Sequence, residues 1–333
     1  MARARADLPA GPASEPHQFP SAPGAGAPSR TPFGADQPQR VVAAHVGTVA
    51  RAREIWEARE LLVFLVRKEL KVRYKNSFLG FLWSFLNPAM VLLIYFVMFR
   101  YILKNGISDF AVYLMCGLLP WNLFNTALLS SSGTLVAHAG IVKKVAFPRE
   151  ILALTQVGVA TCYFFFQSCI LVLFLVGFQV MPDWRYLPVM LLALVCDVVF
   201  TAALALALSA LNVYLRDIEH LIQVVLVALF FAEPIVYTWS NLGSRLGKHG
   251  LVWLYLLNPL TTIVISFQRF IFAHVPGALE RSCPAHVTCG VLATYPEGFY
   301  FELLGIVLAV SLVLFYLASV LFRRVEGNFA EEL

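Results

Sequence analysis

Apolar and polar positions fall in long blocks along this chain and do not alternate. Seven stretches, residues 76–99, 110–137, 151–182, 186–215, 220–244, 249–268 and 303–322, hold just two charged residues between them, Asp197 and Glu233. Each is about the length a helix needs to cross roughly 30 Å of hydrocarbon. Continuous apolar runs predict helices, whereas a membrane barrel would need alternation. The expected fold class is an all-α polytopic membrane protein.

Charge placement then sets the number of crossings. Lys and Arg crowd "RKELKVRYK" before the first run, positions 143–149, Arg216, and "FRR" after the last run. The positive-inside tendency puts all four segments in the cytoplasm. With the N-terminal segment they hold most of the chain's 25 Lys and Arg. Both ends on one side demands an even number of crossings, so one run turns back. The candidate is 249–272, where Pro259 removes a backbone donor and pushes Asn258 out of helical geometry. Broken backbone at membrane depth needs cover from protein or water. The pattern therefore predicts six transmembrane helices near 79–102, 110–136, 151–180, 187–211, 218–239 and 302–322. An external re-entrant segment lies between the last two, and both termini are cytoplasmic at the plasma membrane.

Residues 54–75 mix Trp, Leu and Phe with many charges, which suits an amphipathic helix lying in the cytoplasmic interface. Residues 61–66 are apolar on every face, so a plain positive-inside anchor is the other reading. Residues 1–45 are rich in Pro, Ala and Gly, lack an apolar block, and are expected to form a disordered cytoplasmic tail. No apolar h-region marks them as a signal peptide. The membrane domain proper is 79–333. Composition agrees: 59% of residues are hydrophobic and 14% charged, against about a quarter charged in soluble proteins. The net charge of +5 is read as membrane orientation, not nucleic-acid binding.

Chemistry-bearing motifs are few. A phosphate-cradling Gly-x-x-x-x-Gly-Lys-Ser/Thr loop is missing; the nearest approach, "LGSRLGKHG", fails at Leu242 and His249. The chain is expected to bind no cofactor and hydrolyse no nucleotide, so any energy comes from a separate subunit. The short loop after the second span joins Lys143, Lys144, Arg149 and Glu150 to an exposed Phe147-Pro148, a knob for a cytoplasmic partner. Its cations equally fit ordinary topology determinants. Arg216, Asp217, Glu219 and His220 resemble a metal cluster only in sequence; Asp217 reads as the N-cap of the helix starting at Ile218. Asp197 and Glu233 should face the bundle interior, a partner or water. Cys283 and Cys289, in an external loop, are compatible with a local disulfide. Trp239, Trp253, Tyr255, Tyr295, Phe299, Tyr300 and Phe301 suggest an outer aromatic belt, or flat faces for sugars.

Five stretches together resemble one family, the permease subunit of ABC exporters for cell-surface polysaccharides such as O-antigen, teichoic acid and galactan. They are "RKELKVRYKNSFLGFLWSFLNP" (67–88), "VKKVAFPREIL" (142–152), "LNVYLRDIEHL" (211–221), "EPIVY" (233–237) and "LYLLNPLTTIVISFQRFI" (254–271). The resemblance implies an amphipathic interface helix at 54–75 and a coupling helix within 138–150 that docks on a cytoplasmic ATP-binding subunit. Two copies of that subunit would bind ATP and magnesium. It further implies a homodimer, a lipid-linked glycan as substrate, and Glu233, Pro234, Tyr237, Asn258 and Pro259 along an external gate and translocation path. Arg216 and Asp217 belong to a cytoplasmic loop motif. Family members usually carry a small or hydroxyl residue where Glu233 stands, and often Pro where Ala153 follows "REIL".

The competing reading is a membrane-embedded transferase acting on polyprenyl-linked sugars. Such an enzyme needs paired carboxylates or a His–carboxylate pair at the interface, which only Asp217, Glu219 and His220 offer.

Overall fold

A computed structural model describes residues 48–73, 82–98, 101, 107, 109–144, 147–239, 252–276, 278–279 and 290–332. The proline-rich tail, residues 74–75, and Cys283 and Cys289 lie outside the described residues; Lys144 is described in its backbone alone. Among the described residues all regular structure is helical.

Four elements are long and apolar enough to cross a membrane. They are α4 (Phe110–Ser132), α7 (Glu150–Gly177), α8 (Leu187–Tyr214, entered through a 3₁₀ turn at Trp184–Tyr186) and α12 (Glu297–Glu326). They coincide with four of the six expected spans. The other two expectations meet shorter helices, α3 (Trp83–Val97) and α9 (Ile218–Ala232), of 15 residues each. Helix α9 stops where it does because Glu233, which precedes a proline, is extended at φ −89°, ψ 147°.

Helix α4 is the hub. In its most apolar window 78% of residues are buried, against 28% in α7 and 22% in α12, so α4 packs on all sides. Helix α8 packs along α12, where Cys196 Sγ donates to Leu304 O at 3.4 Å, and Ala193, Ala202, Ala203, Ala205 and Ser209, spread around α8, are all buried. Small side chains let two backbones approach closely where lipid provides no hydrophobic drive. The outward faces of α9 (Leu221, Val224, Val227, Phe231) and α12 (Ile306, Val310, Val313, Leu317) are apolar and exposed. Contiguous surface of this kind is anomalous in water and ordinary against lipid or another chain.

The segment at 54–75 is two helices, α1 (Thr48–Glu57) and α2 (Arg59–Arg73). Val66 of α2 packs with Val159 and Tyr163 of α7. That approach requires glycine at 158, since a Cβ there would lie 2.8 Å from Val66 Cγ2. The Arg73 guanidinium covers the Tyr163 ring at 5.3 Å. Helix α2 is thus anchored to the bundle along one side, while Trp56, Val63 and Phe64 stay exposed.

Candidate functional site

Two polar regions stand out, at opposite ends of α4. Tyr113 touches one and Gly133 the other, 20 residues apart on nearly continuous helix, or about 30 Å at 1.5 Å per residue.

At the Gly133 end, α4 breaks into two short turns, α5 (Thr134–Ala137) and α6 (Ala139–Lys144), before α7 begins. His138 marks the break; its Nδ1 lies 2.9 Å from Thr134 O and its Nε2 3.9 Å from Glu69 Oε1 on α2. Lys143 is exposed. Phe147 and Pro148 are half-buried, which corrects the expectation of an exposed Phe-Pro. The Phe147 ring packs against the cluster holding Leu135, Val142, Leu152, Phe322 and Phe329. It also lines a cavity of about 140 Å³ shared with Leu61 and Leu65 of α2, Ile141 and Leu152. Glu150 is buried at the start of α7.

Arg149 is engaged inside the chain. Its Nη1 donates to the Glu326 carbonyl at 2.6 Å and its Nε lies 3.8 Å from Glu326 Oε1. Its guanidinium stands over Phe329, at 5.9 Å, in the short C-terminal helix α13 (Phe329–Glu332). The Tyr214 hydroxyl donates to Val325 O at 2.8 Å, and Phe322 meets Phe329 edge-on at 5.4 Å. The end of the chain therefore braces the loop, a contact between residues 177 positions apart. Periodicity along one strand of sequence carries no trace of it.

Arg216 and Asp217 sit exposed in the α8–α9 turn of the same end. Asp217 does not cap α9, contrary to the sequence expectation. Its backbone is already helical at φ −71°, ψ −13°, and its side chain accepts no capping bond. Asn212 does this work from the last turns of α8, its Oδ1 accepting from Glu219 N at 3.2 Å. The Glu219 carboxylate lies against Gly133, where a Cβ would come within 3.0 Å of Oε2.

The other end gathers the residues expected along the gate. Pro259 opens α11 (Pro259–Phe272), and Asn258 caps it, its Oδ1 accepting from Leu260 N at 3.2 Å. The preceding α10 (Val252–Leu256) stops two residues earlier. The break at Asn258-Pro259 is therefore where the sequence puts it. Asn258 Nδ2 then donates to Glu233 Oε1 at 2.6 Å, and Thr261 Oγ1 donates to Oε2 at 2.9 Å. Glu233 is fully buried, and each of its oxygens has a donor. The extended turn at 233–237 is held from both sides. The Tyr113 hydroxyl shares its one proton between Tyr237 O (2.8 Å) and Pro234 O (3.1 Å), and Gln268 donates to Pro234 O at 2.6 Å. The Tyr237 hydroxyl meets the Tyr255 hydroxyl at 2.7 Å, and both phenols reach Ala232 O.

Tyr113, Thr261 and Gln268 were not singled out in the sequence. The available signal was a Thr and a Gln on one apolar stretch, the usual mark of side chains that need buried partners. The aromatics expected as a belt behave differently. Trp239, Tyr255, Tyr295 and Tyr300 pack on one another, Tyr300 is fully buried, and Phe301 stays exposed. In the loop before α12, burial pushes the Tyr295 hydroxyl above its ordinary pKa. Asp197 is fully buried in α8, as expected of a charge within a span; Thr201 donates to its Oδ1 at 3.5 Å. Among the described residues no cluster of three or more His, Cys, Asp or Glu could hold a metal.

Residues 60–272 match the family described as ABC-2 type transporter. An O-antigen export system permease protein RfbA of Myxococcus xanthus is 30% identical over 282 residues, covering 84% of this chain and 98% of that protein. Its namesake from Klebsiella pneumoniae is 31% identical over 209 residues, covering 63% and 79%. The polysialic acid transport protein KpsM of Escherichia coli is 23% identical over 272 residues, covering 78% and 95%. The family match runs from α2 through the braced loop to the end of α11, so it takes in both polar ends, and the chain belongs to the ABC-2 type transporter family.

Proposed function

We propose that this chain is the permease subunit of an ATP-driven exporter that moves a lipid-linked cell-surface polysaccharide across the plasma membrane. Its family and its relatives, named for O-antigen export and polysialic acid transport, support the class of cargo. The observation that carries the division of labour is the pairing of two unlike polar ends along α4: a braced loop with an exposed cation, and a sealed hydrogen-bonded turn.

In this reading the loop end is cytoplasmic, because Lys143, Arg216, Arg323, Arg324 and the cations of α2 all gather there. The segment 138–150 couples to an ATP-binding subunit present in two copies, which carries ATP and magnesium; this chain binds no cofactor. Helix α2 rests in the interface, α3 and α9 complete six spans, and both termini are inside. Two copies form a homodimer whose axis holds the path, since symmetry supplies the same wall twice. Glu233, Pro234, Tyr237, Asn258 and Pro259 close that path on the outside.

Depletion of the protein tests the proposal. Lipid-linked glycan should accumulate on the cytoplasmic leaflet while its synthesis continues, read by a membrane-impermeant lectin on intact spheroplasts. A pool that is made and still reaches the outer face defeats the export reading. A pool that is never made favours a transferase.

A further inference from the structure

Arg269 lies in the last turn of α11, one residue after the Gln268 that holds Pro234. Its guanidinium stacks on the Tyr186 ring at 4.1 Å. Two of its nitrogens, Nε and Nη1, are buried with no hydrogen-bond partner. A charged donor out of water without an acceptor is among the costlier arrangements in a protein interior. The face of a tyrosine offsets part of that cost and supplies no acceptor lone pair.

Among the described residues no carboxylate forms an ion pair with Arg269. Asp183 is tied to α11 by its backbone, Asp183 N donating to Phe270 O at 2.8 Å, yet its carboxylate turns back to Arg185 N at 3.3 Å. Both oxygens of Glu233 already accept, from Asn258 and Thr261. The Tyr300 hydroxyl, beside the same ring, donates to Ala293 O. What remains is a planar fork of N–H donors at the end of the bundle that holds the sealed turn, two of them without an acceptor among the described residues. That fork matches phosphate and carboxylate geometry in a two-pronged way that an ammonium cannot.

We infer that Arg269 is an oxyanion-recognition residue of the outer gate, taking a phosphate of the lipid carrier or a carboxylate of the glycan as the cargo passes. The inference rests on the export reading for its cargo. Tyr186 covers one face of the guanidinium, so an oxyanion meets the donors from the edge of the fork, in its plane.

The test uses the full-length chain with its ATP-binding partner in nanodiscs under ATP turnover, with bound probe counted by native mass spectrometry. Geranylgeranyl diphosphate stands for the lipid phosphate, tetraglucuronate for glycan carboxylates, and geranylgeraniol is the neutral control. Wild type should retain at least one anionic probe. Arg269→Gln should weaken that probe by at least about tenfold, the size of one lost charge-assisted contact, and leave the neutral lipid unchanged. Which probe responds identifies the source of the oxyanion. Arg269→Lys keeps a charge for insertion and should weaken the same probe by a smaller factor, so it decides the matter if Arg269→Gln fails to assemble. Equal affinity in these variants and wild type, or wild-type binding of neither anion, overturns the inference. Neither outcome touches the export reading, which the leaflet assay scores separately.

Discussion

The two ends of α4 are built by different physics. At the Glu233 end, polar groups are buried and matched donor to acceptor, with two on Glu233, two on the Pro234 carbonyl and two on Ala232 O. At the loop end, a cluster of mostly aliphatic side chains joined by Phe147, Phe322 and Phe329 does most of the holding, and Arg149 adds a charged bond to the Glu326 carbonyl. Apolar packing is non-directional, while buried hydrogen bonds that share partners reinforce one another as a network. The difference teaches that one helix can be held by non-directional packing at one end and by paired buried hydrogen bonds at the other.

The largest effect should come from the sealed end. Glu233→Ala strands Asn258 Nδ2 and Thr261 Oγ1 and should cost about 2–6 kcal/mol, at roughly 1–3 for each orphaned group. A fall in the melting temperature of the purified protein, together with lost glycan export, would show it. Glu233→Gln, which sets an amide donor against one of the two donors, should cost less, about 1–2 kcal/mol. Wild-type stability for Glu233→Ala would erase the contrast between the ends.

Next comes Phe147→Ala. Its ring is half-buried and already borders a cavity, so about 1–3 kcal/mol is expected, at the lower side of buried aromatic truncations. Co-purification of the ATP-binding subunit should fall further than stability does. Intact co-purification would return the loop to a simple connector.

Arg149 offers a sharper split. Arg149→Gln loses the 2.6 Å bond to the Glu326 carbonyl and should cost about 1–2 kcal/mol. Glu326→Gln weakens a 3.8 Å ion pair whose side chains are about a fifth exposed, a long contact worth about 0.5 kcal/mol. Equal losses in urea titrations of the two variants would mean that the carboxylate, and not the carbonyl, carries the brace.

The smallest change in stability belongs to Lys143→Glu, within about 0.5 kcal/mol for an exposed site. It should nonetheless weaken binding of the partner subunit in a salt-dependent way. A marked loss of stability would show that Lys143 is part of the fold and not of a docking surface.

Much of the architecture was legible in the chain. Uninterrupted apolar runs announce α4, α7, α8 and α12, because a membrane helix needs length and little else. Proline punctuation was equally informative: Pro234 ends α9 and Pro259 starts α11, both through rules of backbone geometry. What the sequence hides is partnership across distance. Tyr113 meets Pro234 across 121 positions and Arg149 meets Glu326 across 177, and no local pattern encodes such pairs. Asp217 shows a subtler failure. It is the right residue type at the right place for a cap, but its helical backbone leaves the bond to Asn212. Arg269 escaped notice because a single cation near the end of an apolar run reads as topology until its surroundings are seen.

The cavity beside Phe147 has a mechanical consequence. It is lined by Leu61 and Leu65 of α2 as well as by Ile141, Phe147 and Leu152, and Leu65 and Phe147 also pack on one hydrophobic cluster. A stroke of the Phe147 ring is therefore shared with Leu152, Phe322 and Phe329, and it reaches α2 through Leu65. Helix α2 is in effect geared to the loop through a cluster that both already touch.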